Sequence, residues 1–229
     1  MKKIGILGGM SWESTVTYYQ LINRMVNQHF GGLHSADCLI SSVNFEEIEQ
    51  LQAQGEWEKA GEILKKEALN LEIAGAEGIL LATNTMQKVA EQIEEKISVP
   101  FLHIVDAVAE EADHMEISRV GLLGTKYTLK LNFFTKRLSD QSIDSILPSD
   151  NQIEEINRII FEELVQGELH NSSKDYFIKV MQELKQNGAE AIVLGCTEIG
   201  LLIKEDDFPL PLIDTTAVHA KKAIEWAIQ

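Results

Sequence analysis

AIVLGCTEIG, residues 191–200, reads as a buried strand that stops at a glycine and then presents Cys196, Thr197 and Glu198. A second stretch, GILLATNTMQ at residues 78–87, has the same outline but carries Thr83 where the cysteine would fall. A short apolar run followed at once by polar residues fits the carboxyl end of a parallel strand, where ligands bind in open α/β sheets. The surroundings agree. Apolar β-type runs at 3–7, 38–43, 78–82, 101–104, 119–123, 143–147, 190–194 and 211–213 alternate with amphipathic stretches such as EWEKAGEILKKEALNLEIAG (56–75) and YFIKVMQELKQNGAE (176–190). Strands separated by helices of that kind mean βα units and a largely parallel sheet.

The two stretches belong to an internal repeat. GAEGILLATNT from Gly75 matches GAEAIVLGCTE from Gly188 at a lag of 113 residues, which also relates Thr83 to Cys196. KIGILGG from Lys3 matches RVGLLGT from Arg119 at a lag of 116, and VPFLHIVDAV from Val99 matches LPLIDTTAV from Leu210 at a lag of 111. Three matches in one order, at lags near half the chain, indicate two similar α/β halves; the period is too long for a solenoid. The expected architecture is α/β, with two pseudo-symmetric domains, each a largely parallel four-stranded sheet flanked by helices. Residues 1–98 plus 210–229 are expected to form the first domain and 99–209 the second. The active site is expected in the interdomain cleft, with Thr83 and Cys196 on opposite sides of it.

Composition narrows the function classes. An apolar fraction of 45% with 24% charged residues is ordinary for a globular protein. There is no apolar run of spanning length, and the opening MKKIGILGGMS is too short in apolar residues for a signal peptide, so a cytoplasmic protein is expected. The net charge of −16 disfavours nucleic acid and anionic membranes as partners. It also means that an anionic substrate must be held by local donors. Cys38 and Cys196 are the only thiols, and Cys38, in the apolar run ADCLISSVNF, reads as an inert core residue. The six histidines show no metal-ligand spacing with either cysteine or with clustered carboxylates, so no metal is expected. GILGGMS lacks the G-x-G-x-x-G spacing of a dinucleotide loop; its glycines suit close backbone approach to a small substrate.

GILGGMSWEST (5–15), TNTMQK (83–88), GLLGTKYT (121–128), GCTEIGLL (195–202) and DTTAVHA (214–220) together resemble the aspartate/glutamate racemase superfamily over essentially the whole chain. The GCTEI form is similar to the aspartate and broad-specificity amino-acid racemases. The resemblance implies catalysis without pyridoxal phosphate or any other cofactor, on an amino acid such as aspartate or glutamate. It implies that Cys196 is the second of two acid–base residues, the one that takes the α-proton from the L-enantiomer. Thr83 stands in the place of the first. Asn84, Thr85, Thr125 and Thr197 match positions that hold the substrate's carboxylate and amino group, and Met10, Ser11 and Gln52 match binding loops of the first half. Family members are often homodimers.

The residues themselves set chemical conditions on that reading. A thiol of ordinary pKa, about 8.5, is a weak base at neutral pH unless its thiolate is favoured. Backbone N–H groups from a following helix turn can favour it. Glu198 suits such a helix start but would raise the thiol's pKa if close, and it could instead orient the substrate's ammonium group. Thr83 is a far poorer base than a thiol and needs an activating neighbour; Gln87 cannot serve as that base. Two other readings therefore stand beside the racemase: a single-cysteine lyase or isomerase of the same superfamily, and an amino-acid-binding protein without turnover. Arg158, the nearest basic candidate for a substrate carboxylate, lies on a helix with Glu154 and Glu162 and is expected to make surface pairs. Trp12, Tyr18 and Tyr19 open an amphipathic helix as core or dimer-contact residues, and His219 reads as structural.

Overall fold

The structure is a computed structural model and describes residues 1–229. Eight strands form: β1 (Ile4–Gly8), β2 (Cys38–Ser42), β3 (Gly78–Leu81), β4 (Phe101–Leu102), β5 (Arg119–Gly124), β6 (Asp144–Ile146), β7 (Ala191–Gly195) and β8 (Leu212–Asp214). They build two four-stranded sheets, ordered β2-β1-β3-β4 and β6-β5-β7-β8, and every pairing is parallel. The order is the same in both, as an internal duplication requires. The chain is thus an α/β protein of two parallel sheets flanked by helices.

Parallel strands covered by helices on both faces need apolar residues at every position, and the central strands supply them. In β1, Ile4 and Ile6 pack on one face with Tyr18, Ile22 and Leu80, while Leu7 turns to the other with Leu64, Ile79 and Leu81. The two-residue alternation of a pleated strand is visible, but neither side of the sheet is wet. Burying each of these side chains stabilises the fold by about 1.5–3 kcal/mol. The helix Trp57–Ile73 offers Ala60, Leu64, Ala68 and Leu71 to the sheet at helical spacing. In the second sheet, Leu123, Ile192 and Leu194 pack with Ile156, Phe177 and Val180 from the helices Asp150–Glu162 and Asn171–Gln186.

The chain divides into two compact units, Met1–Ile104 with Thr216–Gln229, and Val105–Thr215. The expected boundaries, 98/99 and 209/210, each fall one strand too early. Ladder pairing decides this: Ile79 pairs with Phe101 and Leu80 with Leu102, so β4 closes the first sheet. Ile192 pairs with Leu212 and Val193 with Ile213, so β8 belongs to the second sheet and not to the first half. Only the last helix, Thr215–Ile228, returns to the first unit, where Ala220, Ala223 and Ala227 join the face formed by Ile4 and Tyr18.

Of the aromatic residues that open the helix Trp12–Phe30, Tyr18 is buried and Trp12 and Tyr19 are exposed. Arg158 is a surface residue, as expected, but its partners are Glu155, Glu162 and Glu163. Glu154 pairs with Lys130 instead. No helix is long and apolar enough to cross a membrane.

Candidate active site

β7 ends at Gly195, which pairs with Gly124 at the end of β5. A Cβ on Gly195 would lie 2.5 Å from the Leu123 carbonyl oxygen, so only glycine lets the two strands run side by side to this point. The residues directly beyond the pair are Thr125 and Cys196. Thr125 is buried and caps the helix Lys126–Lys130; its Oγ1 accepts from the Thr128 N–H at 3.4 Å and lies 3.3 Å from Thr128 Oγ1. Cys196, Thr197 and Glu198, all half-buried, lead into the single turn Ile199–Leu202.

The Cys196 thiol donates to Glu198 Oε2 at 2.9 Å. Its pKa is raised well above the ordinary thiol range, first by burial, then by the negative charge of Glu198 and the hydrogen bond to it, with a further contribution from Asp214. The Glu198 backbone N–H opposes these effects without overcoming them. The expectation that the following helix turn would favour the thiolate is therefore corrected. The helix is one turn long, and the burial of the sulfur together with the carboxylate two residues on outweighs the one backbone N–H that favours the thiolate. At rest Cys196 is a protonated thiol held to a base.

The corresponding loop of the first unit is built differently. Beyond β3, Ala82 donates to the Leu7 carbonyl at 2.8 Å, and Thr83 N–H to the Leu81 carbonyl at 2.9 Å. Thr83 is half-buried, Asn84 is buried, and Thr85 opens the 3₁₀ turn Thr85–Val89. Gln87 is buried in that turn, and its Nε2 donates to the carbonyls of Leu81 and Thr83, both at 3.1 Å. The side chain braces the backbone that carries Thr83. Its Oε1 is buried with no hydrogen-bond partner in the protein.

Because Leu7 pairs with Leu81, the loop after β1 lies at the same end of the sheet as Thr83. Gly9 has φ +94°, and a Cβ there would sit 2.3 Å from the Val43 carbonyl oxygen, so the turn requires glycine. Gly9 N–H donates to Thr15 Oγ1 at 2.8 Å, and Ser11 caps the helix by accepting from Ser14 N–H at 3.2 Å. The Met10 side chain is in the core with Leu7 and Met86. Gln52 is buried, its amide donating to Met86 Sδ at 3.0 Å. Thus Met10, Ser11, Gln52, Thr83, Asn84 and Thr85 gather at one end of the first sheet, and Thr125, Cys196, Thr197 and Glu198 at the equivalent end of the second. Within the first group the side chains of Met10 and Gln52 are engaged in the core beneath the loops.

His219 is fully buried. Its Nε2 lies 2.6 Å from the Leu102 carbonyl, which can only accept, so Nε2 carries the proton and the Tyr18 hydroxyl donates to Nδ1 at 2.8 Å. The ring ties the last helix to the first helix and to β4, a structural task. Cys38 is partly buried against the same core, and burial, with Asp37 beside it, pushes its thiol pKa up. No group of three or more His, Cys, Asp or Glu side chains is arranged to hold a metal. Asp214, whose field reaches the Cys196 thiol, escaped the sequence reading. The 111-residue lag that aligns it with His103 was the available signal, since both residues sit at the end of the strand beside the one carrying the loop.

The family profile described as Asp/Glu/Hydantoin racemase matches residues 7–223. The broad specificity amino-acid racemase RacX of Bacillus subtilis (strain 168) is 25% identical over 234 residues, covering 96% of this chain and 96% of RacX. A solved structure from Yersinia pestis, provisionally assigned as an Asp/Glu racemase, is 46% identical with a TM-score of 0.95 and full coverage of both chains. An aspartate racemase homologue from Pyrococcus horikoshii OT3 is 38% identical with a TM-score of 0.89, again with full coverage of both. With the profile spanning nearly its whole length, the chain belongs to the Asp/Glu/hydantoin racemase family.

Proposed function

We propose that the protein racemises amino acids without a cofactor, with aspartate or glutamate as substrate. The observation that carries this reading is the Cys196 thiol pointing its hydrogen at Glu198, 2.9 Å away, at the carboxyl end of a central parallel strand. A thiol beside a carboxylate is a proton relay. When the thiol's proton moves to Glu198, the resulting thiolate takes the α-proton of the L-amino acid and becomes a thiol again. Thr83, or a water that it holds, delivers a proton to the opposite face of the α-carbon. Asn84, Thr85, Thr125 and Thr197 bind the α-carboxylate and ammonium groups, with Met10, Ser11 and Gln52 shaping the loops of the first unit. The resemblance to RacX supports an amino-acid substrate, and the resemblance to the Pyrococcus protein supports aspartate.

The two acid–base positions are unequal. Gln87 spends its amide on two backbone carbonyls and has no group that could deprotonate Thr83. Turnover is therefore slow. Enantiomers have equal free energy in water, so slow protonation at Thr83 must lower kcat/KM equally in both directions, and only kcat and KM separately can favour the L-substrate. The same observation supports a second reading, in which Cys196 exchanges the α-proton of the L-enantiomer but no D-product leaves. Chiral chromatography after incubation with separate L- and D-amino acids tests both. The racemase reading expects D-aspartate or D-glutamate from the L-form and the reverse from the D-form. A panel in which no amino acid is inverted in either direction would rule it out.

A further inference from the structure

Asp214 has a counterpart in the first unit, and it is His103. In the second sheet Val193 pairs with Ile213 and Leu194 with Asp214, so the carboxylate stands at the end of β8, beside the strand whose loop carries Cys196. Its charge contributes to the pKa of that thiol, and a Cβ on Gly200 would lie 2.9 Å from its Oδ2. In the first sheet Leu80 pairs with Leu102. A lag of 113 residues from β3 to β7 carries Leu80 onto Val193, and one of 111 from β4 to β8 carries Leu102 onto Ile213. The register is therefore the same in both sheets. The next step sets His103 beside Leu81, as Asp214 stands beside Leu194. Around it, Thr83 takes the place of Cys196 and Gln87 the place of Gly200.

The side of the sheet agrees as well. Phe101 packs with Leu81, Met86 and Val89, the last two from the turn that follows Thr83. Alternate residues of a strand share a face, and the His103 ring meets the Phe101 ring edge to face with centroids 6.0 Å apart. His103 is 3% exposed, a buried imidazole on the side of the sheet where Gln87 is also buried. Gln87 commits Nε2 to two carbonyls, so its amide cannot turn, and Oε1 has no hydrogen-bond partner in the protein. A buried acceptor of that kind suits an imidazole N–H reached through one water. A hydroxyl, for its part, needs a basic neighbour before it can take a proton from carbon. We propose that His103 is a positioning residue for Thr83, its imidazole holding the hydroxyl and exchanging a proton with it while Gln87 Oε1 fixes the ring. When Thr83 acts on the D-enantiomer, the Cα–H bond breaks and leaves its electron pair on carbon. A new O–H bond forms at Thr83, and the former hydroxyl proton passes to the imidazole. Delivery to the α-carbon is the reverse and starts from the imidazolium; solvent resets the proton between turnovers. A hydroxyl assisted in this way is still a weaker base than a thiolate, so turnover stays slow. This role rests on the reading of Thr83 as the acid–base group for the D-enantiomer.

Racemisation slows equally in both directions whichever face is impaired, so the readout is α-proton exchange in D2O, followed by NMR separately from the L- and the D-amino acid. His103→Gln keeps a hydrogen-bonding side chain but removes the base. Exchange from D-aspartate or D-glutamate should fall about 10²-fold or more, while exchange from the L-form, which Cys196 performs, should stay within a few-fold of wild type. Thr83→Val should lower exchange from the D-form at least as far, and adding His103→Gln to it should cost nothing more. A His103→Gln protein that loses both exchanges alike would overturn the proposal, because a structural role moves both. So would one that keeps exchange from the D-form, or a double variant weaker than Thr83→Val alone. A wild type that exchanges neither enantiomer would instead remove the racemase reading, and this role with it. Should His103→Gln not fold, nitrogen-15 NMR of the wild type beside Thr83→Val decides. Loss of the hydroxyl should move the His103 ring signals, and signals that stay in place would overturn the proposal.

Discussion

At the end of β3 the chain places Thr83, and 113 residues later, at the end of β7, Cys196. The two loops hang from sheets of the same strand order, and in both units a hydroxyl residue caps the helix after the neighbouring strand, Ser11 in one and Thr125 in the other. What surrounds the reactive position differs. In the second unit a thiol faces Glu198 and feels Asp214; in the first, a hydroxyl sits on a backbone braced by the neutral Gln87. Position by position, Gln87 corresponds to Gly200, and a Cβ at Gly200 would lie 2.9 Å from Asp214 Oδ2. Where the second unit has a glycine close to a carboxylate, the first has a side chain whose amide donates to the Leu81 and Thr83 carbonyls. Duplication has preserved the frame while the two ends carry different groups, a thiol hydrogen-bonded to a carboxylate in one and a hydroxyl residue on an amide-braced backbone in the other.

The largest expected effect comes from removing the thiol. Cys196→Ser should lower the rate of α-proton exchange by about 10²–10⁴-fold, the range of a lost general acid–base, with the unfolding transition little changed. If the variant racemises at wild-type rate, the asymmetry between the loops has been misread. The opposite change should raise activity. Thr83→Cys gives each of the two loops a thiol and, under the proposed mechanism, should increase the appearance of D-product by about tenfold or more, read by chiral chromatography. An unchanged rate would mean that Thr83 does not meet the substrate. Third in size is the brace. Gln87→Leu leaves carbonyl capacity at Leu81 and Thr83 unmet and should cost about 1–3 kcal/mol in urea unfolding.

The smallest effect sharpens the electrostatic side of the comparison. Burial and Glu198 keep the native Cys196 protonated where the unfolded chain has ionised, so this residue's contribution to stability is constant at low pH and falls as pH rises above the ordinary thiol value of about 8.5. Glu198→Gln removes a charge that disfavours the thiolate, so the rise of alkylation rate with pH should begin at lower pH than in wild type. A shift to higher pH would show that Glu198 assists ionisation at rest.

Much of this was legible in the residues. All eight strands lie within a residue or two of their expected places, because parallel strands buried on both faces are short apolar runs closed by glycine or polar residues. Features set by a single contact were harder to read. The domain boundaries depend on which ladder Phe101 and Leu212 join, and no local pattern in those short strands records it. Arg158 pairs with Glu155, while Glu154 goes to Lys130, 24 residues away in sequence, a contact that spacing within the helix does not record. The orientation of Glu198 toward the sulfur is a rotamer of a loop residue, outside the reach of any periodicity. The helix at Trp12 could have been resolved further: the inward spacing of Thr15, Tyr18, Ile22 and Val26 already places Trp12, Val16 and Tyr19 off the core.

Incubating the wild-type protein with L-aspartate and with L-glutamate in D2O, and following the α-proton by NMR, puts the account to its most direct trial. The account predicts deuterium at the α-carbon of at least one substrate, lost in Cys196→Ser, with deuterated D-product accumulating more slowly than exchange into the L-form. An α-proton that stays in place in both substrates while the protein is folded would contradict it.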